Sequence, residues 1–352
     1  MASSADHPSS ASERVHFLDW LRVIAIGILL FFHTAMLFMG EGWHIEDAQT
    51  VPALELPMDI AHRLRMPLLF IIAGASMHFA LRRRGTAEVL RERVRRLLLP
   101  FAAGMVLVVP PMAYVEYLHY GEWLGGTYHL WFILYLFLYS LIFVPLFAWW
   151  QRRGTVWQPG FWVYLLALPL GVSEALLRPY FPESHDLLDD WWTIVHYALL
   201  FVYGFVLCRT PGMWDWLLRW RQLNLVLGIV VIATILVGEA QGVEFFQDDT
   251  VGDALSANVF TWMWILVFLG YGRRWLSFSN GKLRYLSEAG YPIYILHQTV
   301  IVVVAWFVIQ QPWPWQVKYF VVLAATVVLS FAIYEGLIRR WHVPRLLFGL
   351  KP

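Results

Sequence analysis

Long apolar runs separated by short polar connections recur along the whole chain. The first, residues 17–39, reads FLDWLRVIAIGILLFFHTAMLFM. It is long enough to cross a bilayer as a helix, which takes about 20 residues. Further runs follow at about 57–81, 97–114, 129–149, 161–177, 191–208, 223–239, 257–275, 290–309 and 317–338. The pattern predicts an all-α polytopic membrane protein, a bundle of about ten transmembrane helices. The polar, Ser-rich residues 1–16 predict a disordered cytoplasmic tail, 17–340 the transmembrane domain, and 341–352 a second cytoplasmic tail. No small-residue cleavage site closely follows a short apolar core, so 17–39 reads as a retained span rather than a signal peptide.

Charge orients the bundle. Arg and Lys collect in alternate connections, at Arg82, Arg83 and Arg84, then Arg152 and Arg153, then Arg273 and Arg274, then Arg339 and Arg340. The connections between them are acidic, as at Glu183, Asp186, Asp189 and Asp190. Basic connections mark the cytoplasmic side, and this alternation places both termini there. Composition agrees: 59% of residues are hydrophobic and 14% charged, against about 25% charged in soluble domains. A formal net charge of +1 implies no nucleic-acid partner, and the single Cys208 excludes an intrachain disulfide and a multi-cysteine metal site. Tryptophans such as Trp149, Trp191 and Trp275 form the expected interfacial belt.

Several polar groups do not belong in lipid. The first run carries Asp19, Arg22 and His33. Arg22 and His33 share a stripe about 16 Å apart along a helix. Ionisable groups within a span usually face a protein interior or a wet cavity, although charges near helix ends also snorkel to the surface, and a buried histidine is often simply hydrogen-bonded. His62, Arg63 and Arg65 precede MPLLFIIAG. They suit either a structural salt bridge, as with Asp59, or a grip on an acyl carboxylate or glycan phosphate. In RERVRRLLLP, Arg93 and Arg96 share a helix face at the mouth of a span. They are placed to clamp a phosphate or to anchor the cytoplasmic end. In SEAGYPIYILHQTV, Tyr291, Tyr294 and Gln298 form a stripe beside His297, about 10 Å into its span. An imidazole suits proton exchange with a hydroxyl. Glu335 either orients one of these rings or marks a helix end. The histidines are scattered without metal-ligand spacing, and no metal site is expected.

In that order RVHFLDWLRVIAIGILLFFH, RMPLLFIIAG, RERVRRLLLP and YPIYILHQTV resemble acyltransferase family 3, membrane enzymes that acylate sugars and glycans. The resemblance covers about residues 14–340 and is greatest to the glucan biosynthesis protein C branch, whose members succinylate periplasmic glucans. It implies a bacterial inner-membrane enzyme that takes an acyl group, succinyl or acetyl, from acyl-CoA and places it on a glycan hydroxyl outside. It also implies functional roles for Arg22, His33, Arg93 and Arg96, with His297 matching a further family histidine. Acyl-CoA is then a co-substrate, no cofactor stays bound, and the partners are membrane lipid, acyl-CoA and a glycan acceptor. Many relatives carry an appended periplasmic domain that this sequence lacks, so acceptor recognition would fall to the short outer loops.

The chemistry expected of these residues is concrete. His33 acts as general base or transient acyl carrier, and His297 shares proton handling. Arg22 holds the donor or orients the site. Arg93 and Arg96 bind CoA phosphates, and Arg63 or Arg65 holds a succinyl carboxylate. Asp19, Tyr294 and Glu335 are supporting residues. The competing reading of the same embedded charges is a transporter or flippase for an organic anion or glycan intermediate.

Overall fold

The computed structural model describes residues 15–351 except 41, 124, 155–156 and 248–249. Most of the predicted N-terminal tail therefore lies outside the described residues. Among the described residues there is helix and no strand. Helices α1 (His16–Ala35) and α2 (Glu55–Arg83) come first. Then α3 (Thr86–Arg93) continues through a π-turn at Val94–Leu98 into α4 (Leu99–Leu107) and α5 (Val109–Tyr120). Next are α6 (Trp131–Arg152), the short α7 (Trp162–Leu165) and α8 (Ala167–Leu177), and α9 (Trp191–Arg209). The chain closes with α10 (Met213–Ala240), α11 (Val251–Trp275), α12 (Gly281–Val308), α13 (Trp315–Ile333) and α14 (His342–Leu347).

All ten apolar runs are helical, but they are not equal. Eight helices are long and apolar enough to cross a membrane, or nine when a bent pair is counted as one span. The chain is a multi-pass helical membrane protein. The bent pair is the run at 97–114, where α4 and α5 meet at 42°. Pro110 and Pro111 have no N–H, so the carbonyls a turn earlier lose their partners and the helix breaks at Val108. The run at 161–177 is α7 and α8, broken at Leu166. Pro169 removes the donor that Leu165 would use, and the pair falls short of membrane length.

Two hydrophobic clusters make up the interior, and α1 joins them. Its basic-end half gives Phe17, Leu18, Leu21 and Ala25 to a cluster built on α2, α6, α9 and α11. Its other half gives Leu29 and Leu30 to a cluster on α4, α5, α12 and α13. Polar side chains placed midway along α1 therefore sit at a seam. Helices α2 and α9 touch backbone to backbone. A Cβ on Gly74 would strike the Phe201 carbonyl, and one on Gly204 the Ile71 carbonyl. Small residues allow such close approach between membrane helices.

Between α1 and α2 the chain crosses the open end of the seam as a strap. Asp47 N–H bonds the Leu37 carbonyl and Val51 N–H the Phe38 carbonyl, both at 2.8 Å. The buried Asp47 carboxylate meets the buried Lys318 ammonium at 2.5 Å. Gln49 adds bonds to the backbone at Trp313 and Trp315. These bonds fix Trp43 and His44 over the seam.

Candidate active site

At the basic end of the bundle a cavity of about 570 Å³ is lined by Arg22, Arg93, Arg96, Arg284, Arg345 and Tyr294, among others. Arg22 is held by Ser76 of α2 at 3.2 Å and by Asp19 at 3.4 Å. Arg96 is paired with Glu92 at 3.2 Å, and Arg93 keeps a buried Nε without a hydrogen-bond partner. The π-turn has a local cause. Pro100 offers no N–H to the Arg96 carbonyl, and Leu99 N–H instead reaches back to Val94. The freed Arg96 carbonyl takes the Tyr291 hydroxyl at 2.9 Å. The C-terminal residues are part of this cavity rather than a free tail. Arg345 bridges to Glu288 at 3.2 Å, and Gly349, at φ +70°, packs on Tyr291 where a side chain would collide.

Deeper in the seam, His33 Nδ1 lies 2.9 Å from His297 Nε2. The rings are 9° from parallel with centroids 5.1 Å apart, so they meet edge to edge. The partners settle which nitrogens carry protons. His297 Nδ1 is 2.6 Å from the Tyr294 carbonyl, which can only accept. In its neutral form His297 therefore presents a lone pair at Nε2, and His33 must donate from Nδ1. His33 Nε2 is left with a free lone pair. His297 is fully buried and His33 only partly. A third ring, His129, lies 5.2 Å from His297 and donates from Nε2 to the Ile295 carbonyl at 2.8 Å, leaving a buried Nδ1 without a partner. Tyr294 hydroxyl donates to the His129 carbonyl and locks α12 to the start of α6.

Arg63 and Arg65 part company. Arg65 is buried, its guanidinium 4.1 Å from the centre of the Phe32 ring, with Nε and Nη1 lacking hydrogen-bond partners. Its charge bears on both His33 and His297. Arg63 turns the other way, toward Glu174 at 3.8 Å, in a separate cavity at the acidic end. The salt bridge expected with Asp59 is thus made with Glu174 instead.

The strap brings Trp43 and His44 to the site, and no sequence motif marks either. His44 Nδ1 contacts Glu116 at 2.9 Å, and Tyr128 donates to the same buried carboxylate at 3.0 Å. The Gln298 amide meets His44 Nε2, and Trp43 bridges to His33 at 5.8 Å. His44 is 72 positions from Glu116 and 254 from Gln298, so no local spacing reveals those two contacts. Glu335 is a correction. It is paired with Arg339 at 2.9 Å on the exposed end of α13 and does not orient an imidazole. Arg22 lies at the arginine-lined cavity, with Asp19 in an adjoining pocket that shares Arg22, and neither is beside the histidines. Among the described residues no group of three or more His, Cys, Asp or Glu is arranged to hold a metal ion.

An imidazole with an open lone pair, set inside a helical bundle just past a cationic cavity, is the equipment of a membrane-embedded transferase. Comparison with known proteins names the class. Residues 15–335 match the family model described as acyltransferase domain, and the chain belongs to this acyltransferase family. The protein is an acyltransferase. Glucans biosynthesis protein C of Salmonella typhi and of Salmonella typhimurium are each 24% identical to it over 319 residues. The match spans 82% of this chain and 83% of theirs.

Proposed function

We propose that this enzyme moves an acyl group, succinyl or acetyl, from acyl-CoA to a hydroxyl of a periplasmic or cell-surface glycan at a bacterial inner membrane. The observation that carries the proposal is the open Nε2 of His33. The bond from His33 Nδ1 to His297 orients the ring and leaves Nε2 free to accept a proton. CoA phosphates bind Arg22, Arg93 and Arg96 at the cavity mouth, where guanidinium forks suit phosphate oxygens. The thioester arm passes Tyr294 to reach His33. His33 Nε2 takes the proton of the acceptor hydroxyl as its oxygen attacks the thioester carbonyl. The new C–O bond forms, the C–S bond breaks, and the CoA thiolate leaves with that proton from His33. The unpaired Arg65 nitrogens favour an acyl group bearing its own carboxylate, and the name of the Salmonella relatives favours a glucan acceptor. The donor cavity faces the cytoplasm in this reading, which the basic connections support.

Purified protein in detergent, given labelled succinyl-CoA and a glucose oligomer, tests the reading. Wild type should label the oligomer. His33→Ala should lose about 10²–10⁴-fold in rate, the usual worth of a general base, while keeping its thermal shift on adding acyl-CoA. Undiminished transfer by His33→Ala would overturn the assignment.

A further inference from the structure

A second cavity, about 430 Å³, opens at the acidic end of the bundle, opposite the arginine-lined one. Phe32, the neighbour of His33, and Tyr197 form part of its wall. Arg65 lies directly behind Phe32. The volume falls in the ordinary range for a small-molecule site.

Most of the charges around this cavity are already matched. Buried Glu174 takes Arg178 at 2.6 Å, the Asn258 amide at 2.6 Å and Arg63 at 3.8 Å. Glu183 meets His62 at 3.4 Å and His185 at 2.8 Å. Desolvation pushes the Glu183 carboxyl up, but the two histidines more than offset it and hold it well below the usual carboxylate range. An anion would find Arg63 and Arg178 occupied, and a cation Glu174 and Glu183, which leaves exposed Asp59 as the one lining charge outside these pairs among the described residues. What remains open is neutral hydrogen bonding. Trp192 and His196, 6% and 5% exposed, line the cavity, and Trp192 Nε1 and His196 Nδ1 have no hydrogen-bond partner. They stand one turn apart on α9 with rings 5.4 Å from each other. Buried groups of this sort are normally satisfied, and leaving them bare costs about 1–3 kcal/mol each. A ligand that both donates and accepts would satisfy them. The aromatic wall asks that the same ligand also offer an apolar face.

We propose that this cavity is the acceptor subsite and holds one uncharged sugar ring, with hydroxyls bonded to Trp192 Nε1 and His196 Nδ1 and a face against the aromatic wall. The assignment rests on the acyl-transfer reading, because it lays a hydroxyl on the far side of Phe32 from the donor route. It also explains why Glu174 gathers two arginines and an amide: the planar groups around the sugar are locked before it arrives.

Calorimetric titration of the detergent-purified protein with a neutral glucose oligomer tests the site apart from catalysis. Wild type should bind. Trp192→Phe and His196→Ala should each bind about tenfold more weakly, the loss of one hydrogen bond to a buried group. Both should keep the wild-type thermal shift on adding acyl-CoA, which reports a folded donor side. A sulfated oligomer of the same length should bind more weakly than the neutral one. Equal binding by wild type and both variants, no binding by wild type, or a preference for the sulfated oligomer would each overturn the subsite. Variant-sensitive binding in a protein that transfers neither succinyl nor acetyl from CoA to the oligomer would uphold the sugar site and remove the proposed donor reaction instead.

Discussion

At the scale of single residues, one buried hydrogen bond decides what His33 can do. A carbonyl cannot donate, so Tyr294 fixes the proton of His297, and His297 in turn fixes that of His33. The imidazole of His33 is oriented with its lone pair outward before any substrate binds, which is what general-base catalysis requires. Arg65 is the other residue whose state is unfinished. A buried guanidinium with two bare nitrogens is costly unless an oxygen-bearing group completes it. A succinyl carboxylate would do so through charge-assisted bonds worth about 1.5–3 kcal/mol. Arg65→Met is therefore expected to slow succinyl transfer about 10–100-fold more than acetyl transfer, measured as the two initial rates side by side. Equal losses for the two donors would move Arg65 from the acyl tail to the thioester oxygen.

At the scale of elements, proline placement shapes the walls of both cavities. Pro67, Pro100 and Pro292 each stand four residues after a charged residue at a cavity: Arg63, Arg96 and Glu288. Each removes the donor that the earlier carbonyl would use. At Arg96 the consequence is visible as the π-turn and the Tyr291 bond. Helix crossing matters as much. Gly204→Ala would drive a Cβ into the Ile71 backbone, which cannot rotate away. It should lower stability by about 1–3 kcal/mol, read as an earlier thermal transition in detergent; an unchanged transition would mean that α2 and α9 are not held this tightly. In the strap, Lys318→Met strands the Asp47 carboxylate in the interior. Removing one partner of a buried pair costs about 3–5 kcal/mol, and Asp47→Asn added to it should recover most of the loss. If the double variant is no more stable than the single one, the pair is not what secures the strap. Much of this was legible beforehand. Apolar length marks the ten long helical runs, though not α3 or α14, and embedded charge marks His33, His297, Arg65, Arg93 and Arg96. The rest lay in long-range geometry. Spacing along one helix cannot say that Glu335 faces Arg339, that Arg63 and Arg65 open onto different cavities, or that His44 is folded back onto Gln298. The breaks at Leu166 and Val108 did leave a signal, in Pro169 and the Pro110–Pro111 pair, which an apolar-run reading passes over.

At the scale of the molecule, the two cavities divide the labour by charge. The one beside Arg22, Arg93 and Arg96 suits a polyanionic donor, while the one beside Trp192 and His196 has most of its charges paired. From Phe32 on the wall of one to Tyr294 on the wall of the other, contacts run through His33 and His297. About 16 Å of α1 separates Arg22 from His33, a span that the flexible arm of acyl-CoA must cover while its phosphates stay at the mouth. In the proposed reaction the thioester comes from one side and the hydroxyl from the other, with no separate carrier step for the acyl group. Sidedness follows. In sealed vesicles with the basic end facing outward, acyl-CoA added outside should acylate only oligosaccharide trapped within. In vesicles of opposite orientation the same external acyl-CoA should give no product, since it does not cross a bilayer and its arginine-lined cavity is enclosed. Labelled product partitioned between lumen and medium measures this directly. Efficient acylation of oligosaccharide supplied on the same side as acyl-CoA would mean that both substrates reach His33 through one mouth, and the division between the cavities would have no part in the reaction.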